Sequence, residues 1–145
     1  IGQRKPGVYG AGRRRGYMTY PSALMRDAAT SASVTVRFGD QRLHWQYVEE
    51  VSDMCFAALR STRRGMGRVY NAFGDCRSWR DAAPILKALR PDLTVSVLNE
   101  VDTALSGVVE DYQAAGFARD FGVEAAWPLE RGIAATLQTY ADTGV

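Results

Sequence analysis

Apolar and polar positions change period several times along the chain, and each change marks an element. Val34, Val36 and Phe38 alternate with polar residues, the period of two that predicts a half-buried strand. Gly39-Asp40-Gln41 punctuates it as a turn. Trp45, Tyr47 and Val48 return to apolar character as a second strand. Val51, Met54, Cys55, Ala58 and Leu59 then recur at helical spacing, which predicts a helix with that set on its inner face. Ser33 to Leu59 is therefore strand, turn, strand, helix.

The flanking chain yields to the same reading. Ile1 to Gly12 predicts a strand already under way, ending in Gly and Pro. No Met opens it, which suggests a piece of something longer. Pro21 to Ala29 predicts a helix with Leu24, Met25 and Ala28 on one face. Arg68 to Gly74 predicts a short strand. Ser78-Trp79-Arg80-Asp81 has capping-box spacing, with Asp for the usual Glu. Ala82, Ile85, Leu86 and Leu89 form the stripe of the helix it opens. Pro84 fits only a first turn, so that helix begins near Asp81. Leu93 to Leu98 alternates as a strand. Gln113 to Phe121 predicts a helix stopped by Gly122, with Ala114, Phe117, Ala118 and Phe121 inward. Pro128 opens a last helix marked by Leu129, Ile133, Thr136, Leu137 and Tyr140. The order predicts one α/β domain over the whole chain, with no linker or repeat that would divide it.

Composition adds little to this picture, and charge adds more. The 145 residues suffice to bury a core. No apolar run approaches the ~20 residues of a membrane span, and no apolar segment follows the basic N-terminus as in a signal peptide. Cys55 and Cys76 have neither metal-ligand nor redox spacing, and Cys55 is expected as a core thiol in a reducing cytosol. Arg4, Lys5, Arg13, Arg14, Arg15 and Arg26 all precede the first acid, Asp27. From Asp92 onward acids prevail, against only Arg119 and Arg131. A basic head points to an anionic partner, or else Arg13-Arg14-Arg15 is a solvated loop.

Chemistry-bearing motifs are sparse. Gly7, Gly10 and Gly12 glance at a dinucleotide fingerprint, but three arginines follow them where a helix should open. His44 is the one histidine, so no metal site is expected. On the residues alone it is structural or ligand-facing. No Ser is framed as GxSxG. Lys5 and Lys87 are the only lysines, and neither lies four residues after a tyrosine. Glu49 and Glu50 suit the start of a helix, where acids favour the dipole. The chain holds no complete catalytic constellation, and no catalytic residue is assigned.

Four segments, in order, carry a resemblance. Arg4-Lys5-Pro6-Gly7-Val8-Tyr9-Gly10-Ala11-Gly12 resembles "R-x-P-G-V-Y-G-P-G" at the end of a late Rossmann strand, with Ala11 for Pro. Phe38-Gly39-Asp40 through Gln46-Tyr47-Val48-Glu49-Glu50-Val51 resembles "f-G-d … f-v-y-V-d-D-v", with both acids lengthened. Val69-Tyr70-Asn71-Ala72-Phe73-Gly74 followed by Ser78 resembles "y-N-v-g … s". Gly122 and Pro128-Leu129-Glu130-Arg131-Gly132-Ile133 resemble "l-G-w-x-P … s-l-e-e-G-i". These are segments of the C-terminal part of the extended short-chain dehydrogenase/reductases, the NAD(P)-dependent epimerases and dehydratases.

The resemblance implies the last strands of a Rossmann-like sheet plus the small α/β substrate-binding domain. The cofactor-binding Rossmann core and its Tyr-x-x-x-Lys pair would precede Ile1, so the chain would be inactive alone. The implied cofactor of the parent is NAD or NADP. The implied partners are the missing N-terminal half, a small-molecule substrate such as a nucleotide sugar, and a second copy in a homodimeric, cytoplasmic parent with no membrane contact. Lys5 and Pro6 would lie near the nicotinamide. Gly7, which replaces an Asn that often touches substrate, would line the pocket with Met18, Thr19, Val36 and Phe38. Nucleotide-sugar members hold phosphate with an arginine where this chain has Leu43, and a second arginine in the segment matching Asn99 to Val109 is also missing. Arg42, Arg37 or the Arg13–Arg15 run would substitute, and His44 is the neighbour to test. The expected function is the substrate-binding portion of a sugar or sugar-nucleotide epimerase, dehydratase or reductase. The alternative is a stand-alone anion- or nucleic-acid-binding module using Arg13–Arg15.

Overall fold

A computed structural model describes residues 1–16, 18–62, 68–103, 115–124 and 127–144. In chain order the elements are β1 (Gly2–Arg4), β2 (Gly7–Tyr9), α1 (Tyr20–Thr30), β3 (Ser33–Val36), β4 (Arg42–Tyr47), α2 (Val48–Arg60), β5 (Val69–Asn71), β6 (Asp75–Ser78), α3 (Ala82–Leu89), β7 (Thr94–Val97), α4 (Ala115–Phe121) and α5 (Leu129–Thr143). The mixed α/β class is as expected. Gln113 and Ala114, expected in α4, lie outside the described residues.

Among the described residues the strands form three small sheets. β1 pairs parallel with β5, and β3 pairs parallel with β7. β4 is central in the third, parallel to β2 and antiparallel to β6. The two strands flanking Gly39-Asp40 are therefore not partners. The turn sends the chain from one sheet to another, because β3 finds a second apolar alternation, Val95 and Val97, opposite Val34 and Val36. β6 has no apolar alternation of its own. It exists because β4 offers its second edge, placing Asp75 to Ser78 opposite Trp45 to Arg42.

β4 carries the core. Leu43, Trp45 and Tyr47 point into the main cluster with Tyr9, Leu24, Val36, Phe38, Trp79 and Ile133. On its other face His44 packs against Phe73, ring centroids 5.0 Å apart, and Gln46 Nε2 donates to Met54 Sδ at 3.2 Å. With both faces covered the strand loses its alternation in burial. Aromatic rings join the elements: Tyr9–Trp45 at 5.6 Å, Trp45–Trp79 at 4.7 Å, Tyr20–Trp79 at 5.0 Å and Tyr20–Phe38 at 5.2 Å. Each such pair contributes about 0.5–1.5 kcal/mol beyond its area.

Caps fix the helices as the residues imply. Ser78 N–H donates to Asp81 Oδ2 at 2.9 Å and the Ser78 side chain accepts the Asp81 backbone N–H, the expected capping box. It opens a 3-10 turn, Trp79–Asp81, that leads into α3 and leaves Pro84 in the first turn. Asp75 Oδ2 accepts Leu129 N–H at 3.2 Å and so caps α5 from β6. Arg90 Nη1 donates to the carbonyls of Ala28 and Ala29, both at 3.0 Å, closing the C-terminus of α1.

The helix α2 corrects the expected inner face. Of its residues only Glu50 and Met54 are buried. Cys55 is partly covered rather than a core thiol, Leu59 is 81% exposed and Phe56 58% exposed. The helix docks through Met54 onto Gln46 and β1, with Ala58 packed against the Met54 cluster, while Phe56 and Leu59 stay largely uncovered. Among the described residues no helix is long and apolar enough to cross a membrane.

Candidate functional site

The segment Lys5–Gly7 follows the carboxyl end of β1, where parallel α/β sheets present ligand-binding residues. Lys5 Nζ donates to Gln3 Oε1 at 2.7 Å, and Gln3 Nε2 donates to Met54 O at 3.3 Å. Lys5 and Pro6 are therefore tied to β1 and α2, partly exposed. Gly7 is buried on β2 opposite Trp45. A Cβ there would lie 2.7 Å from Leu43 Cδ1, so Leu43 fills the space a side chain at Gly7 would occupy. Leu43 and Gly7 are thus matched in packing, a large side chain over a residue with none.

Met18 and Thr19 open α1. Met18 has φ 62°, the one non-glycine residue in the left-handed region among the described residues. Such strain persists where surroundings over-determine it, and functional sites are where it concentrates. Here the next residues hold it: Tyr20 Oη donates to Thr35 O at 2.8 Å and accepts from Arg37 N–H at 3.0 Å. Burial of the Tyr20 phenol pushes its pKa up, so the hydroxyl stays protonated and able to donate. Tyr20 thus ties the start of α1 to β3 beside Val36 and Phe38. Both of the latter are buried in the core, Val36 completely.

Arg42 begins β4 exposed, on the opposite face from Leu43, and its Nη2 donates to Cys76 O at 2.8 Å. His44 is buried against Phe73. The structure thus separates these residues. Met18 and Thr19 precede Tyr20, whose ring packs on Phe38; Gly7 lies against Leu43 on the core face of β4; Arg42 and His44 lie on its other face. Arg37 Nη2 lies 2.6 Å from Glu100 Oε2, and this partner raises its pKa, so its charge is already matched. Among the described residues no group of three or more His, Cys, Asp or Glu side chains could hold a metal ion.

Two site-shaping residues escaped sequence reasoning. Tyr20 carries no motif signal, since its role depends on β3 lying beside α1. Glu50 is 2% exposed, and its Oε1 accepts Trp127 N–H at 3.2 Å. The sequence alone groups it with Glu49 as an acid that favours the helix dipole. Which of two adjacent acids points inward follows only from the docking of α2. Trp127 in turn stacks on Tyr47 at 4.5 Å and carries Arg131 over its ring at 3.7 Å.

The dinucleotide cradle is not among these residues. Gly7-Val8-Tyr9-Gly10 leaves β2 into a turn, and α1 opens only at Tyr20. Among the described residues, no helix therefore opens directly after the glycines to offer an N-terminus to a pyrophosphate.

No family profile matches the sequence, and a search of curated proteins finds no significant match. Solved structures do match. An L-threonine dehydrogenase from Phytophthora infestans superposes with a TM-score of 0.81 at 12% identity, covering 99% of this chain and 48% of that one. A UDP-glucuronic acid 4-epimerase from Bacillus cereus, solved with UDP-glucuronic acid and NAD, gives 0.75 at 19%, covering 97% of this chain and 45% of that one. An NAD-dependent NDP-hexosamine 5,6-dehydratase involved in tunicamycin biosynthesis gives 0.72 at 25%, with the same coverage of 97% and 45%. The chain spans about half the length of the structures it matches. The chain has the α/β fold of the C-terminal portion of the extended short-chain dehydrogenase/reductases, the NAD-dependent epimerase/dehydratase family.

Proposed function

We propose that this chain is the substrate-binding region of an NAD(P)-dependent epimerase, dehydratase or reductase acting on a sugar or sugar nucleotide. The observation that supports this most is the likeness to the hexosamine dehydratase, where 25% identity accompanies the shared fold over 97% of this chain. The neighbours include an epimerase solved with NAD, an NAD-dependent dehydratase and L-threonine dehydrogenases. In this reading a cofactor-binding Rossmann half, outside this sequence, supplies the dinucleotide, and the dinucleotide supplies hydride transfer. Lys5 and Pro6 border it. Gly7, Met18, Thr19, Val36, Phe38, Arg42 and His44 shape the substrate side. Val36 and Phe38 act by supporting Met18 and Thr19 from beneath, because their own surfaces are buried. The working enzyme is a cytoplasmic homodimer.

The exposed face of α2 suits this assignment. Phe56 and Leu59, with Val69 57% exposed on β5, are apolar surface of the kind that a second half of the molecule covers.

A second reading of the substrate has an observation in its favour. Leu43 leaves no arginine at the position where nucleotide-sugar enzymes hold phosphate. The L-threonine dehydrogenases also superpose more closely, at 0.80 and 0.81. A small amino or hydroxy acid is therefore the competing substrate class.

The test is an NAD(P)H-coupled assay of the chain alone, and of the chain joined to its cofactor-binding half, against UDP-hexoses and L-threonine. The expected result is no turnover alone and turnover of one class when joined. Turnover by the isolated chain would overturn the proposal.

A further inference from the structure

The helix α2 turns one side to the protein and the other to solvent. Glu50 and Met54 are buried on the docked side. Val48, Ser52, Phe56 and Leu59 are all exposed and recur at helical spacing along the opposite side. Their separations of four, four and three residues are those of the seam along which two helices pack. Leu59 is 81% exposed and Phe56 58%. The polar member of the stripe, Ser52, donates its hydroxyl to Val48 O at 3.1 Å. That hydroxyl is satisfied within the helix, so covering the stripe strands no donor.

Charges beside the stripe are sorted by sign along the helix. Glu49 and Asp53 stand exposed toward its N-terminal end, and Arg60 stands exposed at its C-terminal end. Among the described residues none of these three has an ion-pair partner. A surface with this order complements itself when turned end for end. About a twofold axis at the level of Met54, Glu49 falls opposite Arg60 of the other copy, and Arg60 opposite Glu49. The small Ser52 then faces the large Phe56, and the two helix dipoles oppose. A parallel pair would instead set Glu49 against Glu49 and Arg60 against Arg60.

We propose that two copies of this chain pair through the exposed side of α2, antiparallel about a twofold axis. The pairing belongs to the chain by itself and does not depend on the proposed activity. In a longer protein the cofactor-binding half would compete for the same face. One helix pair buries less than the ~1,600 Å² of a standard interface, so the dissociation constant should be on the order of 10 µM.

The test is sedimentation velocity of the chain at concentrations spanning that value. A monomer–dimer equilibrium is expected, and Leu59→Glu should weaken it more than about tenfold. Glu49→Arg and Arg60→Glu should each weaken it about tenfold at low salt, because each turns two attractions into two repulsions. The double variant should recover the original association. In a parallel pair the single reversals would leave like facing like and change little. Arg15→Glu makes the same change of charge in the loop before α1 and should leave the dimer unaffected. Circular dichroism melting reports whether each variant is folded. Three outcomes overturn the proposal: a monomer at every concentration, growth beyond a dimer, or a double reversal that does not restore association. The first would leave this face to another part of a longer protein.

Discussion

The side chain of Leu43 on β4 lies over Gly7 on β2, close enough that a Cβ added at Gly7 would stand 2.7 Å from Cδ1 and 2.8 Å from Cδ2. Real Cβ contacts do not come this near, so one side must give. Gly7→Ala should destabilise the protein by about 1–3 kcal/mol, the range for overpacking a filled core. Leu43→Val removes the opposing methylene, and the double variant should recover about 1 kcal/mol of coupling in a double-mutant cycle by urea unfolding. Additive losses would show that the two side chains do not share this space.

Gly132 meets Tyr9 in the same way. A Cβ on this α5 residue would lie 1.9 Å from the Tyr9 hydroxyl and 2.9 Å from its Cζ. Tyr9 cannot swing aside, being 1% exposed and held between Trp45 and Tyr47 at 5.6 and 5.8 Å. Burial, reinforced by the Glu50 charge, pushes its pKa well up, so the ring is a neutral wedge at any ordinary pH. Helix propensity alone favours alanine over glycine by about 1 kcal/mol. Gly132→Ala should instead destabilise by about 2 kcal/mol or more, read as a lower denaturation midpoint. Tyr9→Phe in that background, by removing the offending oxygen, should restore part of the loss.

Asp92 predicts an acid limb of stability. Arg90 donates to it through Nε at 3.0 Å and Nη2 at 2.5 Å, and this bond holds the carboxyl at about 2, below its ordinary 3.8. A folded-state pKa below the unfolded one gives stability that is present above the unfolded value and lost as pH falls through the folded value. The window is therefore from about pH 4 down to about pH 2. Asp92→Asn should flatten the pH dependence of stability in that window by up to one proton, as measured by denaturation midpoints at stepped pH. A carboxyl titrating near 3.8 by NMR would contradict the pairing.

Helix positions were legible wherever local chemistry decides them. The capping box at Ser78 and Asp81, the first-turn Pro84 and the stripe through Leu129, Ile133, Thr136 and Tyr140 all act within a few residues of themselves. β6 was not legible, because Asp75 to Ser78 becomes a strand only beside Arg42 to Trp45. The inner face of α2 differs from the one its periodicity predicts for a related reason. Periodicity marks which side chains are apolar, not which of them a neighbour covers, and Leu59 is apolar and uncovered.

The candidate site was legible as a set of positions and not as an arrangement. Lys5, Gly7, Met18, Arg42 and His44 follow from ordered motifs. That Tyr20 bonds Thr35 and packs on Phe38, and that Glu50 rather than Glu49 turns inward to Trp127, follows from elements far apart in the chain.

By itself the sequence determined the α/β class, most of its helices and strands, and the absence of a dinucleotide cradle at its glycines, since periods, caps and turn residues act over single elements. Tertiary structure decided strand pairing, the two faces of β4 and which side of α2 stays exposed. Those depend on which surfaces meet, and the free energy of that meeting belongs to pairs of residues that no local pattern joins.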